Sequence, residues 1–125
     1  MRPLILLVED ECLVRMDIVT SLEDAGFSTL EAGTSAEALD VLERRSDIRA
    51  IFTDIEMPGT MDGVALCHFV RRRWPPTILV ISSGRSRPSQ SDMPQDVMFI
   101  GKPHQPNQLE TVLRGVRGQM RDAIQ

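Results

Sequence analysis

The chain is short of several things at once. It has two cysteines, one lysine, no apolar run of membrane-spanning length and no excess of basic charge. Cys12 and Cys67 cannot build a disulfide framework, and their spacing matches no metal-ligand pattern. Both fall in segments that read as helical, where each would serve as a small apolar filler in a reducing compartment. The longest apolar stretches fall far below the roughly 20 residues a membrane helix needs. The start, Met-Arg-Pro-Leu-Ile-Leu-Leu-Val, runs straight into acidic residues and lacks a signal-peptide cleavage pattern. A soluble cytoplasmic protein is expected. Eighteen acidic side chains against 14 basic ones leave a net charge of −4, which argues against a nucleic-acid or lipid-surface binder. Arg71-Arg72-Arg73 is a basic run, but it ends a helix, where the dipole favours cations, and no aromatic interleaving or second basic cluster accompanies it. No glycine-rich loop ending in Lys-Ser/Thr follows a strand, which excludes P-loop nucleotide chemistry. Internal repeats, low-complexity tracts and linkers are also absent.

What is present is an ordinary globular balance. The 125 residues are 42% hydrophobic and 26% charged, the size and composition of one domain with its own core. Short apolar runs alternate with amphipathic ones. Leu4 to Val8, Ala50 to Thr53, Thr77 to Ile81 and Val97 to Ile100 read as strands buried on both faces, and Phe27 to Leu30 as a weaker one. Between them, Val14, Ile18, Leu22 and Ala25 step at helical spacing before a stop at Gly26. Thr34 or Ser35 can cap a second helix that carries Leu39 and Leu42, with Glu37 near its start. A third helix runs from about Asp62 to Arg73, with Leu66 and Phe69 or Val70 inward, and Trp74-Pro75-Pro76 ends it. Leu109, Val112, Leu113, Val116 and Met120 form the stripe of a last helix. Between Gly84 and Asp96 the alternation calls for one more helix. The serine- and proline-rich sequence there supports only a short helix or an irregular loop. Repeated βα units with right-handed crossovers predict an α/β fold, a doubly wound five-stranded parallel sheet in the order 2-1-3-4-5.

In such a sheet, ligands bind beyond the carboxyl ends of the strands. Glu9, Asp10 and Glu11 follow the first strand, Asp54 the third, Ser82 and Ser83 the fourth, and Lys102-Pro103 the fifth. Carboxylates gathered there would repel one another, and one would protonate unless a cation intervened. Hard carboxylate oxygens on an open rim suit Mg²⁺. A carboxylate beside that metal can attack a phosphoryl group, and a hydroxyl and an ammonium can complete the donors to its oxygens.

Val8-Glu9-Asp10-Glu11, Asp54-Ile55-Glu56-Met57-Pro58, Met61-Asp62-Gly63, Ser82-Ser83-Gly84 and Lys102-Pro103, in this order, resemble the receiver domain of two-component response regulators. The resemblance runs from Leu4 to about Met120. It implies a flavodoxin-like fold and a single receiver domain over 1–125. The chain carries no output domain after the last helix, so either a stand-alone receiver or a piece of a larger protein is expected. It implies that Asp54 is the phosphoacceptor, charged by a histidine kinase or a phosphotransfer protein. Asp10 would bind Mg²⁺ directly and Glu9 through water, with Asp54 and the Glu56 backbone carbonyl completing the set. Lys102 would pair with phosphoryl oxygens, Ser82 would be the switch hydroxyl in preference to Ser83, and Phe99 would stand at the switch aromatic position. A downstream protein partner would read the change, and a homodimer is possible.

Two departures accompany the resemblance. The loop Pro58-Gly59-Thr60-Met61 is one residue longer than the family's usual spacing. Ser82 to Lys102 is only 20 positions, a shortening that falls in Gly84–Asp96, part of the family's common signalling face. His68 and His104 read as bystanders, and Met57 and Met61 as loop packing. An aspartyl-phosphate phosphatase is the runner-up, but that family's motif needs an Asp where Glu56 stands. A third reading, an interaction module that no longer switches, would have lost the acceptor or the lysine, and both are here.

Overall fold

The computed structural model describes residues 2–84, 92–103 and 105–124. Its elements are β1 (Leu4–Val8), α1 (Cys12–Asp24), β2 (Ser28–Ala32), α2 (Ser35–Arg44), β3 (Ile48–Asp54), α3 (Gly63–Arg73), β4 (Ile78–Ser83), β5 (Val97–Gly101) and α4 (Pro106–Ile124). The five strands pair in parallel in the order β2-β1-β3-β4-β5, as predicted.

Side-chain alternation along the strands divides the core in two. Ile5 and Leu7, Ala50 and Phe52, and Ile78 and Val80 face α1 and α4, where Ile18, Leu22, Leu113, Val116 and Met120 meet them. Leu6 and Val8, Ile51, and Leu79 and Ile81 face α2 and α3, against Ala38, Leu42, Leu66 and Val70. Burial on both faces is why these strands read as unbroken apolar runs.

Helix boundaries follow from local chemistry. Thr34, not Ser35, caps α2: its side chain accepts from the Glu37 N–H at 3.1 Å, while Glu37 reaches back to the Gly33 N–H at 2.7 Å. Asp62 caps α3 through the Ala65 N–H at 2.9 Å, and Val70 rather than Phe69 is the buried member of the pair. Arg71 is less solvated than its position suggests. Its guanidinium binds the Pro75 and Thr77 carbonyls, fixing the turn into β4.

Strand bounds differ from the prediction: β4 starts one residue later and takes in Ser82 and Ser83, and β5 extends to Gly101. β2 starts one residue later and runs to Ala32, because the fully buried Phe27 packs into the core from the turn before the strand. β3 begins at Ile48, and a register shift at Arg49 interrupts the apolar run that would have marked it. Much of Gly84–Asp96 lies outside the described residues. The described part, 92–96, holds no α-helix, and its Met93 packs against the α3-side core.

Gly63 is a fixed point of the architecture. Its N–H donates to the Ile55 carbonyl at 2.9 Å, and a Cβ there would overlap the Asp54 carbonyl. The start of α3 can therefore sit directly against the end of β3 only with glycine. Gly63→Ala should lower stability by about 2 kcal/mol or more in urea unfolding, as overpacking against backbone does. Gly118→Ala, in α4 with open space around it, should instead be neutral or raise stability by up to about 1 kcal/mol.

Candidate functional site

The carboxyl ends of β1, β3, β4 and β5 meet at one rim. Glu9 continues β1 by one residue, its N–H bonded to the Ala32 carbonyl at 3.0 Å, and is only 1% exposed. Asp54 ends β3 at 5% exposure. Lys102 is anchored by its backbone N–H to the Ser83 carbonyl at 3.0 Å. Its ammonium then reaches both carboxylates, 2.9 Å from Glu9 Oε1 and 2.8 Å from Asp54 Oδ2. Asp10 is exposed beside them. One carboxylate oxygen from each of Glu9, Asp10 and Asp54 lies within 4.8 Å of the others.

The electrostatics follow from this crowding. Burial pushes the Asp54 carboxyl up to about 6; Lys102 opposes the rise, and the neighbouring Glu9 and Glu56 add to it. Burial also works against the Lys102 ammonium, but its bonds to Asp54 and Glu9 outweigh that and hold it above the usual lysine range. When ionised, three carboxylates against one ammonium leave two negative charges among these four groups. That is the charge and the hard-oxygen chemistry a divalent cation such as Mg²⁺ matches, so the residues fit the metal.

Around this centre the backbone is tightly specified. The Ile55 N–H donates to the Ser82 carbonyl at 2.8 Å, and Asp54 and Ser82 are register partners that share the α1 face of the sheet. Ser82 is 1% exposed, and its hydroxyl has no hydrogen-bond partner among the described residues. The Ser83 hydroxyl points the other way and donates to Glu56 Oε1 at 2.8 Å. The Glu56 N–H approaches Asp54 Oδ1 at 3.4 Å. Gly59 turns the lengthened loop at a φ of 97°, and Met57 is buried beneath it, as loop packing predicts. Phe99 is partly buried in the α3-side core, next along β5 to Ile100, the register partner of Ser82.

Some expectations change. Cys67 is buried, and desolvation pushes its thiol up to about 12, which makes it inert. Cys12 is not a filler: it is exposed at the first turn of α1, where its sulfur accepts from Arg15 at 3.7 Å. Helical periodicity at an N-terminus does not ensure burial. His68 is tied to the Asp92 carbonyl at 2.6 Å, and His104 lies outside the described residues. The sequence reading missed Arg15. Its guanidinium binds the Glu9 carbonyl at 3.0 Å and pairs with Glu31 at 3.2 Å, bracing the rim from below. Its place beside Val14, at the edge of an apolar stripe, was the available signal. The Glu56–Ser83 bond had none.

The raised Asp54 pKa has a defined consequence for stability. The folded state holds this proton more tightly than the unfolded chain, whose carboxyl titrates near 4. Stability of the metal-free protein therefore falls as pH rises from about 4 through about 6. Asp54→Asn removes that cost, while Lys102 keeps Glu9. Urea unfolding at pH 7.5 without divalent cations should find the variant more stable by about 1–2 kcal/mol, the full shift being reduced by solvent at the rim. The gap should narrow toward pH 4.5; a gap that does not depend on pH would contradict the assignment.

A family profile described as "response regulator receiver domain" matches residues 5–114. The chain is 32% identical over 114 residues to the sensor kinase CckA of Brucella abortus, covering 88% of this chain and 12% of that protein. It is also 32% identical over 81 residues to a putative NtrX-like response regulator of Rickettsia felis, 64% of this chain and 17% of that one. The chain thus spans a small part of these relatives. Among solved structures, a response regulator receiver protein from Sinorhizobium medicae superposes with a TM-score of 0.85 at 28% identity, covering 92% of this chain and 94% of the other. The receiver domain of NtrX from Brucella abortus gives 0.80 at 29% identity, covering 90% and 96%. With the sheet order, the acidic rim and this match over nearly its whole length, the chain belongs to the response regulator receiver domain family of two-component systems.

Proposed function

We propose that Asp54 accepts a phosphoryl group from a histidine kinase or phosphotransfer protein, and that residues 1–125 act as one receiver unit that signals to a downstream protein. A cytoplasmic setting goes with that donor. The observation that carries the reading is the Lys102 ammonium held between Asp54 and Glu9, with Asp10 completing the carboxylate set. Mg²⁺ would be held by Asp10, Asp54 and the Glu56 backbone carbonyl, with Glu9 through water; when bound, it neutralises charge on the phosphoryl oxygens.

The chain's own groups supply the rest. The Asp54 carboxylate, held by Lys102 at one oxygen and open at the rim on the other, is the nucleophile. An Asp54 oxygen bonds to phosphorus as the donor's bond to phosphorus breaks, and the donor leaves with the electron pair. Lys102 then exchanges carboxylate contacts for a phosphoryl oxygen. The buried Ser82 hydroxyl, without a hydrogen-bond partner among the described residues, has a donor to spare, which favours it over Ser83 as the switch. Movement of Ser82 displaces the end of β4, and Phe99 beside it on β5 transmits the shift to the surface. The chain catalyses its own phosphorylation and hydrolysis and turns over no separate substrate.

Incubation with acetyl phosphate and Mg²⁺ should add one phosphoryl group by intact-mass measurement. Asp54→Asn should add none, and Asp10→Asn should lose most of the cation-dependent labelling. An unchanged mass shift in the Asp54 variant would refute the site.

A further inference from the structure

The end of the sheet opposite the acidic rim is rich in arginine. A cavity of about 360 Å³ opens there, where the end of α2, the start of β3 and the turn from α3 into β4 meet. Its floor is apolar, made by the buried Leu42 and Ile48, and Trp74, Pro75 and Pro76 form one wall. That wall is held in shape. The Arg71 guanidinium binds the Pro75 and Thr77 carbonyls at 2.7 and 2.9 Å, and each proline ring fixes its own φ. Arg45, Arg49 and Arg73 line the rest. We propose that this cavity binds a nucleoside phosphate, its ring packed against Trp74 and the prolines and its phosphate held by Arg49 with Arg45 and Arg73.

These arginines suit that ligand better than the partners they have. Arg49 is partly buried within β3, and among the described residues it has no carboxylate partner. Its Nη2 reaches only the Met120 carbonyl, 3.5 Å away and at the limit of hydrogen bonding. Arg45 pairs with Asp47 at 2.7 Å and Arg73 with Glu43 at 3.1 Å, but both pairs are exposed, and such pairs contribute little. A phosphate brings more charge and more acceptor oxygens than a carboxylate, and a planar guanidinium meets it with two parallel N–H bonds. The Arg73 guanidinium also lies 5.3 Å from the Trp74 ring centroid, so a cation and an indole already stack there, and a flat ring extends that stack. The combination of an apolar floor, an aromatic wall and a few charged groups is that of a small-ligand site, and the volume is in the same range. It is separate from the Asp54 rim, because β3 runs seven residues from Ile48 to Asp54, a span of about 20 Å.

The chain has a single tryptophan, so its indole N–H gives one resonance in the NMR spectrum of isotope-labelled protein. Titrating AMP or GMP into the full chain should move that resonance to saturation, with a Kd of about 1 mM or tighter. Inorganic phosphate alone and adenosine alone should each bind at least about tenfold more weakly than AMP, since each keeps only part of the contacts. Arg49→Gln should weaken AMP binding about tenfold or more through lost charge-assisted hydrogen bonds. Arg72→Gln, an exposed arginine outside the cavity, should leave it within about twofold. If Arg49→Gln fails to fold, Arg73→Gln, at the exposed end of α3, takes its place with the same expected loss. An indole resonance that neither nucleotide moves would overturn the proposal. So would adenosine or phosphate binding as tightly as AMP, because ring and phosphate would then not be held together. Equal losses in the cavity variant and in Arg72→Gln would also overturn it, since they would mark general charge attraction without a site.

Discussion

Glu9 and Asp54 hold two carboxylates side by side, almost out of water, and the Lys102 ammonium joins them. At about 3 Å and an effective dielectric near 20, each contact is worth roughly 5 kcal/mol of attraction before desolvation is subtracted. Burial cancels much of that, so the arrangement adds little net stability. Its value lies in what it opposes. Leaving the pair of carboxylates without the lysine would cost about 3–5 kcal/mol. The site is therefore balanced rather than stable. Burial holds the Asp54 carboxyl at about 6 against the pull of Lys102, and a further cation beside it would draw it down.

The fold exists to hold that balance. Parallel register places Asp54 beside Ser82 and carries Lys102 to the same rim from 48 positions away. Gly63 lets α3 start against the back of Asp54, and Arg15 fixes the Glu9 backbone from beneath. The two serines at the end of β4 divide by parity. Ser82 shares the Asp54 face, its hydroxyl without a partner among the described residues, and Ser83 turns to Glu56. One residue of β4 thus faces Asp54, and the next reaches the loop that flanks it.

Much of this was legible in the residues. Strands buried on both faces announce themselves as apolar runs, and residues just after them must converge when the sheet is parallel. Glu9, Asp10, Asp54 and Lys102 could therefore be placed together before any coordinates. Legibility failed where tertiary packing overrode local pattern. Phe27 is apolar but lies ahead of its strand, Arg49 sits within β3 where its pairing with β1 shifts register, and Cys12 follows helical spacing yet faces water. The Ser83–Glu56 bond depends on the rotamers of two side chains 27 positions apart, which no spacing rule encodes. The lone lysine is the instructive case. Its rarity in composition meant nothing until the sheet placed it between two buried acids, where a compact point charge with three donors serves better than a planar guanidinium.

The central claim is that this balanced carboxylate, and no other group, carries the phosphoryl. Borohydride reduction tests it most directly, because it converts an aspartyl phosphate to homoserine while sparing free carboxylates. Peptide mapping after labelling and reduction should find homoserine at position 54. Homoserine at Asp10 or at another acidic residue, or none in protein that had gained a phosphoryl group, would contradict the account.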